Sequence, residues 1–220
     1  MHSLIRSQEI FNPRDYDHLG ITIIGAGAIG SRVFSTLIEL GLTEITVYDF
    51  DVVEGHNLAS QAFSHDDIGQ PKTTALANLA YRKLGHLDPK LQFKNARVTP
   101  DTPLSGTLFL LVDSLEERRN LFPSGNLDVH HVIDVRMAAT HGNVYSIDPH
   151  LKGQAYLDTL GNDADAEVSA CGSPFSVAPT AAVLSNLAVW QYIHRCNNPA
   201  ACDEAIDVFL QPLAIHTRTL

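Results

Sequence analysis

The first ordered pattern in the chain is Ile21-Thr22-Ile23-Ile24, a run of β-branched residues that leads straight into a glycine. A short run without alternation predicts a strand buried on both faces, as in a parallel sheet. Residues 28–40 then change period. Ile29, Val33, Phe34, Leu37 and Leu40 recur at helical spacing, and Gly41 supplies a C-terminal cap. Residues 44–48 return to a strand pattern. Strand, glycine turn, helix and strand in that order predict one βαβ unit.

Further along, residues 51–70 read as a long polar excursion, and Pro71 opens a helix running to about Leu84. Residues 91–96, 108–112, 131–135 and 143–147 read as strands, with a short helix over 115–121 that ends before Pro123. Residues 149–173 mix Gly, Asp, Asn and Pro with little periodicity and read as a long surface loop. Residues 176–195 are the longest helix, and 205–210 and 213–216 flank Gln211-Pro212 as two short strands. The apolar positions Leu76, Leu79 and Leu84 on the second helix, with the long C-terminal helix, exceed what one thin sheet covers, and this predicts a homodimer. No repeat or linker interrupts the pattern. The expectation is a single domain over residues 1–220, with its core at about 19–195. Its fold class is α/β: a Rossmann-like, doubly wound, mostly parallel sheet with an antiparallel C-terminal portion.

Composition narrows the function classes. Hydrophobic residues make up 45% of the 220 and charged residues 18%, as in a globular domain. The net charge of −10 argues against a broad phosphate-binding face, and so against nucleic acid as the main partner. No apolar run approaches the roughly 20 residues that span a bilayer, and the N-terminus carries no apolar stretch of a signal peptide. Cys171, Cys196 and Cys202 are too few for a disulfide framework, which points to a reducing cytoplasm. The 11 histidines show no metal-ligand spacing and read as ordinary structural residues.

The chemistry begins at Gly25-Ala26-Gly27-Ala28-Ile29-Gly30, a G-x-G-x-x-G between a strand and a helix. Its first glycine makes the turn, its second lets a phosphate reach the backbone, and its third lets helix and strand pack closely. Free N–H groups at the helix start suit phosphate. Asp49 ends the next strand, 19 residues after Gly30, where a dinucleotide enzyme places its ribose-binding acid. On these residues alone the reading is NAD binding.

The residues that follow change that reading. Asp49-Phe50-Asp51-Val52, with Asn57-Leu58 after it, resembles the D-x-D-x-V-x-x-x-N-L segment of the ThiF and ubiquitin-activating-type adenylyltransferase family. Ile68-Gly69-Gln70-Pro71-Lys72 resembles that family's I/V-G-x-x-K segment. Val112-Asp113 with Arg118 is similar to its strand-end aspartate and trailing arginine, and Asp134-Val135-Arg136 with 143–147 to its next two strands. Ser169-Ala170-Cys171 is similar to its S-C segment. The match runs in order from about residue 20 to 195.

The resemblance implies a small, zinc-free adenylation domain that uses ATP and Mg²⁺ on a carboxylate. The implied acceptor is the C-terminal glycine of a ubiquitin-like protein or peptide. Gly25, Gly27, Ala28 and Gly30 would hold phosphate, Asp49 the ribose, and Asp51 and Asn57 would shape the site. Lys72 would neutralise phosphate charge. Asp113 would hold Mg²⁺, with Glu116 as its alternate; otherwise Asp113 serves as the N-cap of the following helix. Cys171 is either a thiol that takes the acyl group from AMP or a small packing residue before a helix. Two departures stand out. Ser60 occupies the place of an arginine in the family's N-L-x-R-Q, with Arg6 as the candidate substitute. The chain also has no C-x-x-C pair, so a four-cysteine zinc site within one chain is excluded. The other readings are adenylation of a small carboxylate, such as one on a modified tRNA nucleoside, and a nucleotide-binding module without adenylation, either NAD-dependent or a pseudoenzyme.

Overall fold

Eight strands build one sheet: β1 (Ile21–Ile24), β2 (Ile45–Tyr48), β3 (Gln92–Lys94), β4 (Gly106–Leu110), β5 (Val129–Met137), β6 (His141–Ile147), β7 (Glu204–Leu210) and β8 (Leu213–Thr219). Five helices accompany them: α1 (Gly30–Glu39), α2 (Lys72–Leu84), α3 (Leu115–Leu121), α4 (Pro149–Leu157) and α5 (Ala178–Asn197). These come from a computed structural model that describes Leu4 and residues 7–123, 125–161, 176–199 and 204–220.

The strand order is β3-β2-β1-β4-β5-β6-β7-β8. The strands from β3 to β5 are parallel, and β5 to β8 pair antiparallel. The expected α/β, Rossmann-like class with an antiparallel C-terminal portion is the observed one. β1 is buried at all four positions because helices cover both faces of the sheet. On one face Val33, Phe34 and Leu37 of α1, Leu76 of α2 and Leu184 and Ala188 of α5 form one core. On the other, Leu108, Leu110 and Val132 of the sheet pack with Leu121 of α3 and Tyr156 of α4. Parallel pairing sends the carboxyl ends of β1, β2, β3 and β4 to one edge, where open α/β sheets bind ligands.

Several expectations need correction. The proposed loop over 149–173 contains α4, whose start is set by Asp148: its carboxylate accepts from the amides of His150 and Leu151, and Pro149 occupies the first turn. Residues 162–173 of that stretch lie outside the described residues. β4 begins and ends two residues earlier than expected. β5, β6 and β8 are longer, because each has an antiparallel neighbour that extends the ladder. The leucines named on the second helix are not surplus: Leu76 and Leu79 are buried in this chain's own core and Leu84 is half-buried against it, while Tyr81 on the same helix is exposed. α5 does leave apolar surface, with Val183 and Trp190 exposed beside a groove of about 590 Å³ against α1. No described helix is long and apolar enough to cross a membrane.

His131 on β5 is buried, and its Nε2 shares a hydrogen bond of 2.9 Å with Ser146 Oγ on β6. Burial, together with the positive Arg195 and the neighbouring His130, pushes its pKa down to about 3 from the usual 6.5. The unfolded chain therefore takes up a proton below 6.5 that the folded chain refuses until about 3. Stability falls as pH drops through that window. At about pH 5 the loss from this group is on the order of 2 kcal/mol. Urea unfolding at about pH 7 and pH 5 should show that loss shrinking by roughly this amount in His131→Gln. An equal loss in both proteins would remove His131 from the pH dependence.

Candidate nucleotide site

The site grows from the turn after β1. Gly25 has φ +95°, and a Cβ there would stand 2.6 Å from the carbonyl oxygen of Leu111. A Cβ on Gly30 would overlap the carbonyl oxygen of Gly25 at 1.9 Å, so the start of α1 closes onto the turn only with glycine at both positions. Gly27 differs: a Cβ there would point into open space. The amides of Gly25 and Ala26 are used, by Tyr48 O and by the Asp49 carboxylate. The next four, from Gly27 through Ala28 and Ile29 to Gly30, donate to no described residue. Four consecutive open N–H groups at the positive end of a ten-residue helix form an anion site.

Asp49 follows β2 and is buried. Its Oδ2 accepts from Ala26 N at 2.6 Å and its Oδ1 from Asp51 N at 2.8 Å. Burial pushes its carboxyl above the usual carboxylate range, opposed by the nearby Lys72 and by those two amides. Each oxygen keeps a lone pair for a further donor, such as a ribose hydroxyl.

The excursion after Asp51 returns on itself. Val52 bridges to Pro71, Val53 N donates to Gln70 O at 2.8 Å, and Gly69 N donates to Val53 O at 2.8 Å. This closure delivers Lys72, the first residue of α2, to Asp51. Its amide donates to Asp51 O at 2.9 Å, and its ammonium reaches Asp51 Oδ2 at 2.7 Å. The Lys72 side chain is 9% exposed while that of Asp51 is 50% exposed, so a buried cation is held by a carboxylate that opens to solvent. Asn57 is buried, and its Oδ1 accepts from Glu54 N at 2.9 Å, which fixes the short 3-10 helix (Gly55–Ala59).

Asp113 lies just beyond β4, two residues past the Leu111 carbonyl that abuts Gly25. It is exposed, and its carboxylate is bonded to no described residue. The helix that follows is capped by Ser114, whose Oγ accepts from Glu117 N at 3.1 Å. That corrects the alternative reading of Asp113 as the N-cap. Glu116 is exposed on the first turn of α3, beside a cleft of about 410 Å³ that also involves Arg97, Val98 and Ser114. Arg6 and Cys171 lie outside the described residues.

Sequence reasoning missed the support beneath β4. Arg118, 4% exposed, donates to the carbonyls of Leu110, Val112 and Val135 and pairs with Asp134. Asp134 is fully buried on β5. It also meets Arg136 Nε at 2.8 Å and the hydroxyl of Tyr156 at 3.1 Å. A charged residue in the middle of a strand, with arginine two places on, was the available signal. The network pins the carboxyl end of β4, and with it Asp113, against β5.

Comparison with known proteins places the chain in a family. Residues 14–212 match the sequence profile of the ThiF family. The ubiquitin-like modifier-activating enzyme 5 of Dictyostelium discoideum is 30% identical over 84 residues, covering 38% of this chain and 21% of that protein. The SAMP-activating enzyme E1 of Haloferax volcanii is 38% identical over 58 residues, covering 26% of this chain and 22% of that protein. The matched segment thus spans about a fifth of either relative's length. Among solved structures, E. coli MccB with MccA-N7isoASN superposes with a TM-score of 0.74 at 17% identity, over 94% of this chain and 66% of that one. E. coli MccB crystallised with ATP superposes with a TM-score of 0.68 at 16% identity, over 94% and 65%. At such identities the superpositions establish the shared fold.

Proposed function

This chain belongs to the ThiF family, and we propose that it uses ATP to adenylate a carboxylate, the C-terminal glycine of a ubiquitin-like protein or peptide. The observation that carries this reading is the placement of Lys72. A buried ammonium sits 2.7 Å from Asp51, itself hydrogen-bonded to Asp49, at the edge that carries the open glycine-loop amides. Hydride transfer to or from NAD does not bring two anions together at the reacting atoms. Attack by a carboxylate on a phosphate does, and a buried cation there offsets their repulsion.

The residues present fit ATP. The triphosphate lies against the amides of residues 27–30, in the space that the missing Cβ of Gly27 leaves. The ribose hydroxyls donate to Asp49. A carboxylate oxygen of the acceptor attacks the α-phosphorus, forming a new P–O bond. The bond from the α-phosphorus to the oxygen bridging the β-phosphorus breaks, and pyrophosphate leaves with that electron pair. Lys72, turning from Asp51 toward the phosphates, neutralises charge as it develops. Asp113 would hold Mg²⁺ through one oxygen, and the ion would supply further neutralisation of the phosphates. The names of the relatives support a small protein as acceptor, since one activates ubiquitin-like modifiers and another SAMP. The same reading places the reaction in the cytoplasm, where ATP is held.

Exchange of labelled pyrophosphate into ATP tests this, with ubiquitin-like proteins and peptides ending in glycine as acceptors. Exchange that requires a free acceptor carboxylate is expected. ATP turnover that yields ADP and phosphate, or exchange that ignores amidation of the acceptor's C-terminus, would contradict it.

A further inference from the structure

Among the described residues, the glycine-loop site is short of positive charge. Asp49 and Asp51 line it and Asp113 stands at its rim, while Lys72 is already within 2.7 Å of Asp51. A triphosphate adds further negative charge.

Arg32 is positioned to meet that need. It is the third residue of α1, directly after the open amides of residues 27–30. Its Nε donates to the backbone carbonyl of Ser60 at 2.8 Å, on the segment that follows the short 3-10 helix. Ser31 beside it fixes the same corner: its Oγ donates to Gly27 O at 2.7 Å and accepts from Ala62 N at 3.0 Å. The first turn of α1, the glycine loop and residues 60–62 are therefore tied together. Arg32 is half-buried, and its two terminal nitrogens donate to no described residue. A guanidinium oriented through one edge and open on the other presents the fork that binds phosphate oxygens.

We propose that Arg32 is a phosphate-binding residue of this site, its terminal nitrogens gripping the triphosphate of ATP while the Ser60 carbonyl holds its Nε in place. The inference rests on the ATP reading given above. A lysine at this position would keep the charge without the fork.

The test is calorimetric binding of ATP with Mg²⁺, with adenosine measured as a competitor, in wild type, Arg32→Met and Arg32→Lys. Arg32→Met should raise the ATP Kd by roughly 10- to 100-fold, with adenosine unchanged to within about twofold and Arg32→Lys recovering only part. If Arg32 only ties α1 to residues 60–62, ATP and adenosine will weaken together. That result, or an unchanged ATP Kd in Arg32→Met, overturns the proposal while leaving the ATP reading intact. A wild-type chain that binds no ATP overturns the ATP reading itself.

Discussion

Replacing Lys72 by alanine should lower acceptor-dependent exchange of pyrophosphate into ATP by roughly 10²-fold or more. The buried ammonium is already held at the site by Asp51 before any ligand arrives, and turning from Asp51 brings it to the phosphates as charge builds there. Without it, Asp49 and Asp51 remain as two carboxylates beside the anion, and their repulsion adds to the lost attraction. The fold itself should tolerate the change. Asp51 is half-exposed, so solvent screens its side of the ion pair, and losing the pair removes about 1 kcal/mol or less from stability. Exchange and the urea midpoint should therefore separate: the first collapses and the second moves little. Exchange within a factor of a few of wild type would remove Lys72 from the mechanism.

The second large effect lies beneath the site. Asp134→Ala leaves Arg118 and Arg136 without their shared carboxylate and the Tyr156 hydroxyl without its acceptor. Removing one partner of a buried ion pair costs about 3–5 kcal/mol, because the charge left behind is still buried. That is a large part of the roughly 5–15 kcal/mol that holds a domain folded. Burying the Tyr156 hydroxyl raises its pKa, so it remains a neutral donor to Asp134 throughout the ordinary pH range. Denaturant unfolding of Asp134→Ala should thus show a much lower midpoint. Nucleotide binding should weaken as well, since Arg118 ties the Leu110 and Val112 carbonyls that set the end of β4. An unfolding free energy within about 1 kcal/mol of wild type would mean that the network does not act as one buried unit.

The parts of this protein that are legible from its sequence are those whose physics is local. The glycine turn, Asp49 and the helical spacing of α1 lie within thirty or so residues of one another, and each has a backbone reason to be where it is. The start of α2 at Lys72 is legible because Pro71 marks it. α4 escaped because it buries only Pro149, Gly153 and Tyr156 and so shows no apolar stripe, although Asp148-Pro149 is a helix-start signal. The two-residue slip in β4 came from the continuous apolar run over 108–112, which carries no period to fix its ends. The contacts of Arg32 with Ser60, and of Arg118 with Asp134, join positions far apart in the chain. Only the folded topology brings them together. Where Asp113 stands was readable, but its release from capping was not, because Ser114 beside it is an equally good cap.

The claim that this glycine-loop site takes ATP is tested most directly by titrating the purified chain, without any acceptor, with ATP and Mg²⁺ and separately with NAD, followed by calorimetry. The proposed function predicts saturable binding of ATP, lost when Asp49 is changed to alanine, and no saturable binding of NAD. Tight binding of NAD with none of ATP would contradict it, and the residues around Lys72 would then need another explanation.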